Sequence, residues 1–150
     1  MTRLRSLRVV VIAILALLAL QFELGMAVNL SPSLEVAAPL AGTPAAIWGA
    51  LATVGGAAVT HALLGIFLTL VTLASLVFAV LSGAKSVAVI GILSFIAMAL
   101  ASSNGVLFTL SGFRNDGYSH GMSTMFLVVY SLNFIQVCVL TVKLRRQAVA

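Results

Sequence analysis

The stretch from residue 57 to residue 82, AAVTHALLGIFLTLVTLASLVFAVLS, decides the fold class of this chain. It contains no Asp, Glu, Lys or Arg. As a helix that rises about 1.5 Å per residue, it is long enough to cross the roughly 30 Å hydrocarbon core of a bilayer. The rest of the chain agrees, because 62% of its 150 residues are hydrophobic and 7% are charged, which excludes a soluble domain. We therefore expect an integral membrane protein.

Three further apolar runs predict an all-α bundle of four membrane-spanning helices that forms a single domain over residues 1–150. The runs end at polar, glycine-containing or proline-containing segments, which interrupt helices. The predicted spans are residues 9–30, 57–82, 86–110 and 120–142.

A short helix is expected just before the second span. Thr43-Pro44 is typical of a helix start, with threonine as the N-cap and proline at the first helical position. A continuous helix from there to residue 82 would be far longer than a bilayer needs, so we place a break at Gly55-Gly56. The piece over residues 44–54 carries Trp48, and tryptophan is enriched at membrane interfaces. We predict a short interfacial helix.

The basic residues predict the orientation. Seven of the eight fall on one predicted side of the membrane, namely Arg3, Arg5, Arg8, Lys85, Lys143, Arg145 and Arg146. By the positive-inside rule, both termini are cytoplasmic in a multi-pass protein of the plasma membrane. Because topology accounts for these charges, no nucleic-acid partner is expected. An alternative makes residues 1–27 a cleaved secretory signal, with the first three arginines as its charged region.

Polar and small residues predict which side of each span faces the bundle, because small residues allow helices to pack closely in membranes. In the second span the stripe is His61, Gly65, Leu68, Thr72, Ser75 and Ala79. In the third it is Met98, Ser102, Gly105 and Thr109. In the fourth it is His120, Ser123, Thr124, Leu127 and Ser131. In the first it is Ala16, Ala19, Glu23 and Ala27.

His61 and His120 are the two histidines of the chain, and counting along the spans puts both near the outer boundary. Two facing imidazoles can ligate a haem iron inside a four-helix bundle. Gly65, one turn below His61, would leave room for the porphyrin, and Arg114 would neutralise its propionates. In the alternative interpretation each histidine hydrogen-bonds to a neighbour or to lipid headgroups. A zinc site would need Asp116 or Glu23 in addition to the two histidines, and only Asp116 is expected at a suitable depth.

Polar residues inside spans are costly and are therefore functional candidates. Glu23, Asn104, Ser102 and Asp116 form the predicted polar cluster of the outer leaflet. Glu23 is either a proton carrier or a carboxyl group that hydrogen-bonds across the bundle to Asn104 or Ser102. Two further amides, Asn133 and Gln136, are expected to join helices to one another.

The second span contains THALLG over residues 60–65, and the fourth begins with HGMS over residues 120–123. Four spans with a histidine at the outer end of the second and the fourth resemble one half of haem A synthase, including its half-length four-helix forms. The chain is also similar to small uncharacterised four-helix membrane proteins of actinobacteria. The resemblance covers the whole chain in layout and rests on few residues. It implies a b-type haem between His61 and His120, in contact with a quinone or another redox partner.

The chain departs from the haem A synthase pattern at two points. The family's catalytic glutamate, one turn before the histidine of the second span, is replaced by Ala58, and the paired cysteines of its first outer loop are missing. These departures put a haem A synthase-like oxidoreductase activity in doubt. Haem binding, electron transfer or haem handling is the expectation that fits the residues present.

Two other functions stay open. The chain could be a non-catalytic subunit or assembly factor of a larger membrane complex, or a homo-oligomer. It could also be a small ion or proton transporter that uses Glu23 and Asn104, which at this size would have to oligomerise.

Overall fold

The computed structural model describes residues 2–30 and 42–149, and these form an all-α bundle, as predicted. In these residues there are five helices, α1 (Thr2–Asn29), α2 (Pro44–Val54), α3 (Gly56–Leu81), α4 (Lys85–Leu110) and α5 (Asp116–Val149). All but α2 are long and apolar enough to cross a membrane. The chain is therefore a multi-pass membrane protein.

The spanning helices begin and end close to the predicted spans at α3 and α4, and extend beyond them at α1 and α5. α5 has 34 residues, more than a bilayer of roughly 30 Å requires. The additional turns contain the basic residues at the start of α1 and the end of α5. Both helices therefore continue beyond the predicted spans, because charged residues leave the bilayer but can still be helical.

The four long helices pack as a ring. α1 lies against α3 and α5, and α4 lies against the same two helices, so that α1 is diagonal to α4 and α3 to α5. A tight turn at Gly83, which has φ +72°, reverses the chain between α3 and α4. Successive long helices therefore run in opposite directions.

The two ends of the bundle differ. At the end we call the basic end, the Arg3 guanidinium donates to the carbonyl of Leu81 over 3.3 Å, and apolar residues of all four long helices pack together. At the other, which we call the capped end, α2 packs against α3 and α4. The cluster beneath α2 consists of Val28, Ala50, Leu51, Val54, Ala58, Phe108 and Phe113.

The short helix before the second span is confirmed, together with its break. The Ala46 N–H donates to the Thr43 hydroxyl over 3.3 Å, and Pro44 is the first helical residue. Gly55 has φ +123°, a value that side-chain-bearing residues rarely adopt, and this ends α2 one residue before α3 begins.

The predicted inward faces of α3 and α4 are confirmed. Leu68, Thr72, Ser75 and Ala79 are buried on α3, and Met98 and Thr109 are buried on α4. His61, Gly65, Ser102 and Gly105 on the same stripes are half-buried.

The predicted inward faces of α1 and α5 are wrong. Ala16, Ala19, Glu23 and Ala27 are exposed on α1, and His120, Ser123, Thr124, Leu127 and Ser131 are exposed on α5. The buried face of α1 instead carries Leu7, Val11, Ile14, Leu18 and Gln21, and that of α5 carries Val129, Asn133, Gln136 and Leu140. On these helices the buried faces consist of large apolar side chains and three amides, and the predicted small and polar residues point outward.

Buried amides and hydroxyls connect neighbouring helices, as expected for Asn133 and Gln136. The Asn133 amide donates to the Ser94 hydroxyl over 2.8 Å, which joins α5 to α4. The Gln136 amide lies 3.5 Å from the carbonyl of Val87 on the same pair of helices. These amides fix how α5 is turned about its own axis.

Candidate functional site

The candidate site is centred on His61, near the start of α3 at the capped end. The Gln21 amide of α1 donates to the His61 carbonyl over 3.1 Å and lies 3.3 Å from His61 Nε2. The Gln21 side chain is only 8% exposed, so this contact is shielded between α1 and α3. His61 therefore faces protein, and its neighbour is α1 rather than α5.

Two polar atoms of this pair have no hydrogen-bond partner in the described part of the chain. They are Gln21 Oε1 and His61 Nδ1, and both are buried. If Nε2 accepts from the Gln21 amide, the proton of the neutral imidazole is on Nδ1. A buried donor and a buried acceptor are then both unsatisfied, at a cost of about 1–3 kcal/mol each. Such groups call for a ligand or a water at this position.

Glycines on both helices make room for this pair. A Cβ on Gly25 would lie 3.0 Å from His61 Cε1, and a Cβ on Gly65 would lie 3.3 Å from the Gln21 amide nitrogen. Each helix thus contributes one polar side chain and, one turn later, a glycine beneath the other helix's polar side chain. The two polar groups pack this closely because both glycines lack a side chain.

The other half of the ring repeats the arrangement between α4 and α5. A Cβ on Gly105 would lie 3.3 Å from the Met122 sulfur, and one on Gly121 would lie 2.9 Å from Asn104 Oδ1. The hydroxyls of Thr69 and Ser102 are 2.8 Å apart on antiparallel α3 and α4, so Gly105, three residues beyond Ser102, is level with Gly65. We call the set Gly25, Gly65, Gly105 and Gly121 the glycine layer.

His120 is not part of this layer. Its side chain is exposed, and it lies two positions before Met122, which places the two on nearly opposite sides of α5. The prediction that His120 faces the bundle axis is therefore wrong in this structure, because α5 is turned so that Asn133 and Gln136 are inside. His61 and His120 are on diagonal helices but do not face each other.

The remaining predicted site residues are separated. Arg114 and Asp116 are exposed beside the start of α5, and Glu23 is exposed on α1. The Ser102 hydroxyl is 2.8 Å from that of Thr69, and the Asn104 amide donates to the carbonyl of Leu100 in its own helix. The polar cluster is thus not assembled, and the expected bonds from Glu23 to Asn104 or Ser102 are absent among the described residues.

No group of three His, Cys, Asp or Glu side chains suited to a metal ion occurs in residues 2–30 and 42–149. The zinc alternative therefore gains no support from the described residues. A transporter that uses Glu23 and Asn104 would need both side chains on one ion path. In the described residues Glu23 is exposed on the outside of the bundle, whereas Asn104 lies between α4 and α5, so the two are not on one path.

Sequence reasoning missed Gln21, Gly25 and Met122. A usable signal was present, since Gln21 and Gly25 have the same four-residue spacing as His61 and Gly65. Residues four apart share a helix face, so the two pairs match as antiparallel partners. Met122 has no comparable signal in the sequence.

Comparison with known proteins adds no relative: no family model, curated protein or solved structure matches the chain.

Proposed function

We propose that this protein is a haem-binding membrane protein that uses His61 as a ligand to the iron within the glycine layer. The observation that carries the proposal is the half-buried imidazole with an unpartnered, buried nitrogen, between two helices that both present glycine to it. Neutral imidazole is a common ligand of haem iron, and bundle cores hold cofactors between facing helices.

The contacts around His61 are compatible with ligation. Gln21 Nε2 is 3.3 Å from the ring nitrogen Nε2 but 3.1 Å from the His61 carbonyl. The amide can keep its bond to the carbonyl when the ring nitrogen turns to a metal. Nδ1 would then carry the proton, and the orientation of the ring would depend on the Gln21 side chain and on packing against Gly25, because no described residue accepts from Nδ1.

A second ligand to the iron would come from α5, where His120 and Met122 are the candidates. His120 can face the interior only if α5 turns by about half a revolution, which would move Asn133 away from Ser94. Met122 already faces α4 near the level of Gly65, about one turn deeper than His61, and a thioether together with a histidine is an established haem ligand pair. We therefore propose Met122 as the partner of His61.

A haem held in this way exchanges single electrons, so electron transfer or haem handling is the proposed activity. A redox partner such as a quinone belongs to the same proposal. Methyl-group oxidation is not proposed, because Ala58 stands one turn before His61 where a catalytic acid would be needed. We further propose that the basic end faces the cytoplasm in the plasma membrane.

Absorption spectroscopy of the protein purified in detergent tests the proposal. Wild-type protein expressed with haem supplied is expected to show a Soret band and sharpened α and β bands on reduction. His61→Ala should lose the bands. Met122→Leu should retain haem with a shifted spectrum, because one ligand has changed. His120→Ala, at an exposed site on the same helix, is the matched control and should resemble wild type.

Two results would overturn parts of this proposal. If wild-type protein takes up no haem, in cells or on titration with hemin, the haem assignment fails and the His61–Gln21 contact only holds α1 to α3. If His120→Ala loses haem as completely as His61→Ala, the bis-histidine arrangement is right and Met122 is wrong. Circular dichroism of each variant checks that the bundle is intact.

A further inference from the structure

Two ionisable side chains lie on the outward surface of the bundle, within the length of the membrane-spanning helices. Glu23 of α1 and His120 of α5 are both exposed. The two helices are neighbours, and the rings of Phe22 and Phe126 meet there with centroids 6.0 Å apart. Ionisable groups that face lipid are costly and are rarely left without a partner.

Neither side chain has a polar partner in the part of the chain that the structure describes. Among residues 2–30 and 42–149, Glu23 and His120 take part in no hydrogen bond and no ion pair. Around them, α5 also exposes the hydroxyl residues Ser123, Thr124 and Ser131. We call the outward side formed by these five residues the polar face.

The outward sides of α3 and α4 differ from the polar face in having no exposed Asp, Glu or His, although α1 and α5 also expose large apolar side chains such as Phe22, Leu127 and Phe134. Those of α3 and α4 expose large apolar side chains, as a lipid-facing surface should: Leu63, Ile66, Phe67, Leu70, Ile92, Leu93 and Ile96. The exposed hydroxyls do not distinguish the two sides, because Ser103 of α4 donates to the carbonyl of Ala99 and Ser123 of α5 donates to that of Ser119, each within its own helix. The exposed ionisable groups of the spans are thus concentrated on one side of the ring.

We infer that the polar face is the contact surface for a second copy of this chain, in a two-fold dimer that pairs Glu23 of each copy with His120 of the other. An interface between identical chains is self-complementary, so a surface that carries both an acid and a base can satisfy both at once. A dimer with its axis along the membrane normal also keeps both copies at the same depth and orientation.

The depths of the two groups agree with this pairing. Gly25 belongs to the glycine layer, and Met122 contacts Gly105 of the same layer. Glu23 is two residues from Gly25 and His120 is two residues from Met122, so the two ionisable groups lie within about 6 Å along the bundle axis. Their side chains can bridge that separation. This inference does not depend on haem binding.

Cysteine cross-linking in liposomes tests the surface. The native Cys138 is exposed on α5, so it is first replaced by alanine. Thr124→Cys on that background should form a disulfide-linked dimer with copper-phenanthroline. Ile66→Cys, at an exposed position of α3, is the matched control and should not. A monomer at Thr124→Cys across all protein-to-lipid ratios would overturn the inference.

Charge variants test the pairing. Glu23→Gln is expected to weaken dimerisation, measured by energy transfer between labelled copies, by about ten-fold, since each dimer loses two interchain contacts. His120→Gln should do the same, and combining the two should add little. Exchange of the two residues, Glu23→His with His120→Glu, should restore the dimer. A dimer that is indifferent to all three variants would show that other contacts form it, and would refute the pairing.

Discussion

Replacing Gly25 by alanine tests whether that glycine exists to accommodate His61. The added Cβ would lie 3.0 Å from His61 Cε1, whereas carbon atoms in contact prefer about 3.5–4.0 Å. The ring must therefore move by about 0.5 Å or more. This strains the side chain by about 0.5–1.5 kcal/mol and weakens a contact to Gln21 worth about 0.6 kcal/mol. The total penalty is about 1–2 kcal/mol.

Gly49→Ala is the matched control, because no atom of another helix in residues 2–30 and 42–149 lies within 4 Å of a Cβ at that helical position. Alanine is favoured over glycine in a helix by up to about 1 kcal/mol, and both variants receive this gain. Gly49→Ala should raise the free energy of unfolding, measured by circular dichroism in mixed detergent and SDS micelles. The free energy of unfolding of Gly25→Ala should be about 1–2 kcal/mol lower than that of Gly49→Ala.

Repeating the substitution in His61→Ala protein separates the contact with the imidazole from other effects of the added methyl group. In His61→Ala protein the ring is gone, so Gly25→Ala should behave like Gly49→Ala. The reasoning is refuted if Gly25→Ala stabilises the wild-type protein as much as Gly49→Ala does, or if its penalty persists without the imidazole.

Three further predictions concern other parts of the fold. A double-mutant cycle of Asn133→Ala and Ser94→Ala should give a coupling of about 0.6–1.7 kcal/mol in the free energy of unfolding, the range for interhelical hydrogen bonds in membranes, and a coupling near zero would contradict the bond. Gly55→Ala should destabilise the protein by at least about 1 kcal/mol because Gly55 has φ +123°, and unchanged stability on SDS titration would contradict this. Lys85→Cys, on a cysteine-free background, should react with a membrane-impermeant maleimide only in permeabilised cells, and labelling of intact cells would reverse the orientation.

The sequence predicted the helices better than it predicted how they are turned. Apolar length and the Gly55-Gly56 break were enough to place the elements, because a bilayer requires helices of a certain length. The stripes on α3 and α4 were also predictable. Their glycine, serine and threonine residues allow close packing, and no competing stripe exists on those helices.

On α1 the same reasoning failed because hydrophobicity does not distinguish inside from outside in a membrane. Lipid chains are as apolar as leucine, so Leu7 and Leu18 gain from interior packing rather than from leaving water. The alanines at 16, 19 and 27 were taken as a packing face, but they point outward. Gln21, the buried amide of this helix, was the better guide to its inward side.

On α5, His120 and Asn133 were both expected to face the interior, and a straight helix cannot turn both of them inward. His120 and Asn133 are thirteen residues apart, and at about 100° per residue they point about 220° from each other. Both cannot face the interior. Asn133 is 1% exposed and bonds to Ser94, and Gln136 shares its face near Val87, so the two amides determine the turn of the helix. Asn133 and Gln136 lie deeper in the span than His120, where only other helices can supply their hydrogen-bond partners. The deeper polar residues therefore set the rotation, and this leaves His120 on the polar face opposite Met122.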